Sequence, residues 1–68
     1  MRVTINGDER ELRDGATVQD ALGATGVDAG ERGVAVAVDA IVVPRSAWQA
    51  TVIAAGARIE VLRASAGG

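Results

Sequence analysis

Residues 2–13 decide the fold of this chain, and they read RVTINGDERELR. Val3 and Ile5 alternate with polar residues, which indicates a strand with one face turned toward a core. Asn6-Gly7 follows, and this pair is a strong hairpin signal because both residue types tolerate positive φ. We therefore predict an opening β-hairpin whose return strand covers residues 8–13.

A short helix is predicted after the hairpin. Thr17 has the character of a helix N-cap, and Asp20 would lie in the first turn, where its charge suits the helix dipole. Gly26 is placed to end the helix. The spacing i, i+3, i+4 and i+7 puts four residues on one helical face: Val18, Ala21, Leu22 and Thr25.

Three further strands are predicted in the second half of the chain. β-Branched residues at every second position mark residues 34–38 as a strand, and Asp39-Ala40 forms a turn into a short strand at residues 41–43. Pro44 cannot donate to a sheet and ends that strand. A single turn around Trp48 leads to a last strand at residues 58–62.

The predicted element order is strand, strand, helix, strand, short strand, strand. A hairpin followed by a helix across one sheet face and by further strands is the β-grasp, or ubiquitin-like, arrangement. We expect an α+β fold in which a mixed sheet of four to five strands carries one helix across one face. This domain would cover residues 1–63, and residues 64–68 would form a flexible reactive tail. The sheet face opposite the helix stays available to partners.

The composition excludes several classes of function. The chain has no Cys, no His and no Lys, and its net charge is −2. Without Cys and His, the usual zinc ligands, thiol nucleophile and general base are missing, so no metal site is expected. A net negative charge argues against binding to the phosphate backbone of a nucleic acid. No signal segment or spanning run is visible, so we expect a cytoplasmic protein.

The small aliphatic core predicts that the chain is not an enzyme. Trp48 is the only aromatic residue among 68, and Ala, Val, Ile and Leu supply almost all of the apolar content. Such a core leaves no room for an internal small-molecule pocket.

The best candidate for chemistry is the terminal pair Gly67-Gly68. The pair is compatible with a frayed end, and equally with a reactive terminus, because glycine has no Cβ to jam a narrow channel. Ser65 and Ala66 are also small, and five extended residues from Ala64 onward reach about 17 Å. An ionised carboxylate needs activation, most simply as an acyl-adenylate, and the chain has no phosphate-binding loop. The activating enzyme is therefore expected to be a separate protein.

Candidate docking residues come from the last strand and from the segment after Pro44. Alternation turns Arg58, Glu60 and Leu62 outward, where they can contact a partner protein. Arg45 is a further candidate, as a contact for an acidic partner at the sheet rim. Trp48 is interpreted as a structural cap on the aliphatic core.

Three segments carry a family resemblance: residues 41–48 (IVVPRSAW), residues 56–61 (GARIEV) and Gly67-Gly68. The chain resembles the ThiS family, the sulfur carriers of thiazole synthesis in the thiamin pathway, and the resemblance covers essentially all of it. Val-Pro-Arg-x-x-Trp is specific in combination with the diglycine. Asp39 stands where members often have Asn, and Ala57 stands where Gly-Asp is usual.

This resemblance implies a definite chemistry. The Gly68 carboxylate would be adenylated by a ubiquitin-activating-type enzyme, to which ATP and magnesium belong. Sulfur from a donor such as a cysteine desulfurase would convert the adenylate to a thiocarboxylate. Thiazole synthase would draw the sulfur from the inserted tail, formed by Ser65, Ala66, Gly67 and Gly68. The chain itself would bind no cofactor.

Two other functions stay open at this stage. One is a sulfur carrier for molybdopterin or cysteine synthesis, although such carriers are usually longer and lack Val-Pro-Arg-x-x-Trp. The other is a β-grasp protein-binding module without tail chemistry, for which deletion of Gly67 and Gly68 would change nothing.

Overall fold

The computed structural model describes residues 1–64. Its elements in chain order are β1 (Arg2–Ile5), β2 (Asp8–Glu11), α1 (Val18–Ala24), β3 (Val34–Val38), β4 (Ile41–Val43), a 3-10 turn (Arg45–Ala47) and β5 (Arg58–Arg63). This order is the one predicted from the sequence. β2 ends two residues earlier than predicted, and β5 runs one residue further.

The five strands form one mixed sheet in the order β2-β1-β5-β3-β4. β1 and β5 are parallel, and the other neighbouring strands are antiparallel. The strand that comes last in the chain therefore lies at the centre of the sheet. A hairpin, one helix and a returning central strand make the β-grasp fold, which confirms the predicted architecture.

The helix α1 begins directly after the predicted N-cap, Thr17, and ends at Ala24, one residue before Thr25, which the spacing had included in the helical face. The N–H of Asp20 donates to the Thr17 hydroxyl at 3.3 Å, and the Asp20 carboxylate accepts from the Thr17 N–H at 2.9 Å. These two bonds form a capping box. The Thr17 N–H, together with the Arg13 guanidinium, lowers the pKa of the Asp20 carboxyl. Gly26 follows the helix at φ +79°, the left-handed conformation of a helix stop.

The core lies between α1 and one face of the sheet. Trp48 is only 2% exposed, and its indole N–H donates to the Val43 carbonyl at 2.8 Å, so its one polar atom is satisfied. This burial confirms the structural interpretation of Trp48. It is the one aromatic member of an aliphatic cluster whose other buried residues are Val3, Ile5, Val18, Ala21, Leu22, Val27, Val36, Ile53, Ala57, Ile59 and Val61.

Both hairpin turns place non-glycine residues at positive φ. Asn6 at +51° and Asp39 at +49° are residue types that tolerate this region. Their side chains also bind β5, because Asn6 Oδ1 accepts from the Val61 N–H at 2.8 Å and Asp39 Oδ1 accepts from the Arg58 N–H at 2.9 Å. Ala40 at +70° has no comparable side chain, so the second turn is strained there.

Candidate functional site

The predicted reactive residues Ser65, Ala66, Gly67 and Gly68 lie outside the described residues. The structure does show how the chain is held up to Ala64, directly before them. The candidate site therefore has two described parts. One is the sheet face around β5, and the other is the set of contacts at the end of β5.

The outer face of the sheet, opposite α1, carries three of the predicted docking residues. Ile59 and Val61 of β5 are buried, whereas Arg58, Glu60 and Leu62 alternate with them toward the outer face, as predicted. The Arg58 guanidinium and the Glu60 carboxylate form an ion pair at 3.3 Å. The Leu62 side chain is 67% exposed.

The strand register places further apolar side chains beside Leu62. Ala35 of β3 lies opposite Leu62, Ala37 lies opposite Glu60, and Val42 of β4 lies opposite Ala37. We call Leu62, Ala35, Ala37 and Val42 the apolar strip. Exposed contiguous apolar surface commonly marks a protein interaction site. Sequence reasoning missed its β3 and β4 members because alternation within a strand does not reveal the register between strands.

The end of β5 is fixed by the loop between α1 and β3. The N–H of Ala64 donates to the Gly33 carbonyl at 2.7 Å. Gly33 has φ +75°, and a Cβ built on it would lie 2.8 Å from the Ala64 Cβ. Both the backbone conformation and the contact with Ala64 therefore require glycine at this position.

A bidentate ion pair joins the same loop to the last residue of β5. Arg63 Nε donates to Glu31 Oε2 and Arg63 Nη2 donates to Glu31 Oε1, both at 2.7 Å. This geometry is the strong, directional form of a guanidinium–carboxylate contact. The hydrogen bonds from Arg63 lower the pKa of the Glu31 carboxyl, and the same pairing raises the pKa of Arg63.

Arg45 takes part in contacts within the chain and does not lie on the apolar strip. Its guanidinium carbon lies 4.4 Å from the centroid of the Trp48 ring. The same guanidinium donates to the backbone carbonyls of Ala29 and Glu31. Its predicted contact with an acidic partner stays a prediction. Sequence reasoning missed Glu31 and Gly33, because a polar loop without periodicity gives no signal of its partners.

Other kinds of site are not supported by the part of the chain that the structure describes. In residues 1–64 no three His, Cys, Asp or Glu side chains are grouped to hold a metal ion. No helix there is long and apolar enough to cross a membrane. Two surface depressions, of about 490 and 470 Å³, are open to solvent.

A small β-grasp domain with an apolar strip on its outer face and a diglycine in its sequence defines the class of small ubiquitin-like proteins. The chain belongs to the ThiS family, whose family model matches residues 3–68. This match confirms the resemblance read from the sequence. No curated protein matches the chain significantly.

Two similar solved structures come from Geobacter metallireducens. One is a crystal structure of a thiamine biosynthesis protein (ThiS), with 30% identity, a TM-score of 0.79 and full coverage of both chains. The other is a solution structure of a thiamine biosynthesis protein, with 30% identity and a TM-score of 0.80. It covers all of this chain and 88% of that one. Both share the fold described above.

Proposed function

We propose that this chain is a sulfur carrier for thiazole formation in thiamin biosynthesis. The observation that carries the proposal is the ThiS family match, which extends through Gly67-Gly68. Two structures described as thiamine biosynthesis proteins resemble the whole chain, which supports the same pathway. In this function the β-grasp domain presents the tail, and the Gly68 carboxylate carries the sulfur.

The chemistry at Gly68 has two steps. An ionised α-carboxyl group, with a pKa of about 3.5, is a poor electrophile. Its oxygen therefore first attacks the α-phosphorus of ATP, pyrophosphate leaves, and an acyl-adenylate forms. Sulfur at the oxidation level of sulfide then attacks the acyl carbon and AMP leaves, which yields the thiocarboxylate. A donor such as a cysteine desulfurase supplies this sulfur as an enzyme-bound persulfide, which a thiol reduces to sulfide while the two remaining sulfur atoms form a disulfide.

The chain acts in this scheme as a protein substrate and not as an enzyme. Its sequence has no Cys, His or Lys, so it offers no thiol, imidazole or side-chain amine that would attack its own activated carbonyl. ATP and magnesium belong to an adenylating enzyme of the ubiquitin-activating type. Thiazole synthase then takes the sulfur from the inserted residues 65–68. These steps take place in the cytoplasm.

The outer sheet face is proposed as the docking surface for these enzymes. Leu62 is two residues from Ala64, so a partner seated on the apolar strip has the start of the tail beside it. The Arg58–Glu60 pair borders the strip with charges of both signs, which can fix the orientation of the partner. Beyond Ala64, which is bonded to Gly33, the four residues 65–68 can reach about 14 Å when extended, enough to enter an active site while the domain stays outside.

The test is the intact mass of the protein after incubation with its host's adenylating enzyme, ATP and a sulfide source. We expect a mass gain equal to the exchange of one oxygen for one sulfur. Deletion of Gly68, or the substitution Gly67→Leu, should abolish the gain while the circular dichroism spectrum stays unchanged. Absence of the gain with an enzyme shown to be active on another carrier would refute the proposal.

The pathway is tested separately by transfer of the sulfur. The thiocarboxylate form should support thiazole formation by thiazole synthase, whereas the unmodified form should not. If the thiocarboxylate forms but thiazole synthase does not accept it, the sulfur-carrier chemistry holds and the assignment to thiamin biosynthesis is wrong.

A further inference from the structure

The contacts at the end of β5 form a connected series that begins in the core. Trp48 is buried, and its indole N–H is fixed on Val43. Arg45 lies over the Trp48 ring and binds the loop between α1 and β3, and this loop binds the last residue of β5. We call Arg45, Glu31, Gly33 and Arg63 the tail clamp.

The spacing Arg45-x-x-Trp48 is what connects the core to the loop. Residues 45–47 form a 3-10 turn, in which the Trp48 N–H donates to the Arg45 carbonyl at 3.1 Å. One turn of this helix places the first and fourth residues on the same side. The guanidinium therefore stacks on a buried, hydrogen-bonded ring, and its fork of N–H groups reaches the carbonyls of Ala29 and Glu31.

Glu31 is the link between this anchored loop and β5. Its backbone carbonyl accepts from Arg45, and its carboxylate accepts two bonds from Arg63. Two parallel hydrogen bonds define the relative orientation of two planar groups, unlike a single contact between point charges. Glu31 therefore connects Arg63 to Arg45, and through Arg45 to the buried Trp48.

Gly33 fixes the next residue, Ala64. The 2.7 Å hydrogen bond from the Ala64 N–H to the Gly33 carbonyl extends the pairing one step beyond β5. The absence of a side chain on Gly33 lets the Ala64 Cβ approach. A methyl group on Gly33 would displace Ala64, because two Cβ atoms do not approach to 2.8 Å.

We propose that the tail clamp sets the direction in which the chain leaves the domain and thereby positions residues 65–68 in the active site of the activating enzyme. Arg45, Glu31, Gly33 and Arg63 are positioning residues and not catalytic ones, since none of them touches the reacting carboxylate. This inference rests on the proposed function.

The physical reason is that docking on a partner fixes the position of the domain, whereas the tail clamp fixes the position and direction of the chain at Ala64, where the tail begins. If the chain were free to pivot before Ala64, residues 65–68 would sample many directions outside the active site of a docked partner. Orientation of reacting groups contributes strongly to rate, and a misplacement of about 1 Å can cost up to a hundredfold. Loss of the clamp should therefore lower kcat and leave KM, which reports docking, nearly unchanged.

The decisive experiment compares Gly33→Ala with Gly56→Ala. Both glycines have positive φ, at +75° and +83°, so both variants carry similar backbone strain. A Cβ on Gly56 would meet nothing within 4 Å, whereas one on Gly33 would meet Ala64. Gly56 also precedes β5, at the end of the strand opposite to Arg63. Gly56→Ala is therefore a matched control that introduces similar backbone strain but no contact with Ala64.

Two readouts are measured on each variant. The first is the ¹⁵N order parameter of the Ala64 amide in the isolated protein, expected near about 0.85 in the wild type and below about 0.6 in Gly33→Ala. The second is the steady-state kinetics of adenylate formation. We expect Gly33→Ala to lower kcat about tenfold with KM within twofold of the wild type. Gly56→Ala should match the wild type in both readouts.

A charge swap provides an independent test on side chains that lie at the surface. Glu31→Arg places two guanidinium groups opposite each other and should lower kcat by a similar factor. Adding Arg63→Glu recreates the pair in reverse and should restore kcat and the Ala64 order parameter. Such a rescue is not expected if the single substitution acts by blocking a docking contact.

The inference is wrong if Ala64 keeps its order parameter in Gly33→Ala, or if Ala64 becomes mobile while kcat stays at the wild-type value. A change confined to KM would also overturn it, because the loop would then be a docking contact. Failure of the proposed function gives a different result, since the wild type itself would then form no adenylate and no thiocarboxylate.

Discussion

Replacement of Ala40 by glycine should stabilise the protein, which is an unusual outcome for such a change. Ala40 lies in the β3–β4 turn at φ +70°, where an L-residue is strained by about 1–2 kcal/mol. Glycine has no such strain, but it gives the unfolded chain more conformational entropy, which offsets about 0.4–1 kcal/mol of the gain. Ala40 is exposed and contributes no core packing. The net expectation is a rise of about 0.5–1 kcal/mol in the free energy of unfolding, or about 2–8 °C in Tm.

The same chemical change in the neighbouring strand should have the opposite sign. Ala35 is also exposed, but it lies within β3, where glycine destabilises by about 0.5–1 kcal/mol relative to alanine. Urea and thermal unfolding of Ala40→Gly and Ala35→Gly, followed by circular dichroism, measure both effects. If Ala40→Gly unfolds more easily than the wild type with an unchanged m-value, the argument from turn strain fails.

Three further predictions concern docking, the core and pH. Leu62→Glu should raise the KM of the adenylating enzyme about tenfold without loss of stability, whereas Val52→Glu, at a similarly exposed site on the loop before β5, should leave KM unchanged in the same assay. Trp48→Ala should lower the free energy of unfolding by about 3–5 kcal/mol, out of a total of about 3–10 kcal/mol. An unchanged urea midpoint would count against a role of Trp48 in the core. Arg63 lowers the pKa of the Glu31 carboxyl. The stabilisation from this ion pair should therefore be fully present above the ordinary glutamate pKa of about 4.3, and it should be lost as the pH falls through the lower pKa that Glu31 has in the folded protein. An NMR titration should show the Glu31 inflection below that range, and Arg63→Gln should move it back up.

The sequence predicted the elements that have a local signature. The hairpin at Asn6-Gly7 and the helix after Thr17 are encoded by residue types that act on their immediate neighbours. The alternation in β5 was likewise sufficient to separate the buried Ile59 from the exposed Leu62. The element order then indicated the β-grasp fold, and the family match confirmed the resemblance carried by residues 41–48 and the diglycine.

The features that the sequence did not predict depend on contacts between distant residues. Val42 lies on the same face as Leu62 only because β3 pairs with both β4 and β5 in one particular register. Glu31 contacts Arg63 across 32 positions of the chain. Arg45 was predicted to contact a partner at the sheet rim, and nothing in its neighbourhood along the chain indicated the loop carbonyls of Ala29 and Glu31.

The central position of β5 also determines when this protein can fold during its synthesis. Without β5, the chain has only two separate hairpins, β1–β2 and β3–β4, and an isolated two-stranded hairpin is marginal in water. The two halves of the sheet join only when β5 inserts between β1 and β3, and this step pairs residues from opposite ends of the domain. A nascent chain therefore has to release residue 63 from the ribosome before the sheet can close. Folding follows translation of the domain, at a rate limited by the closure of long loops.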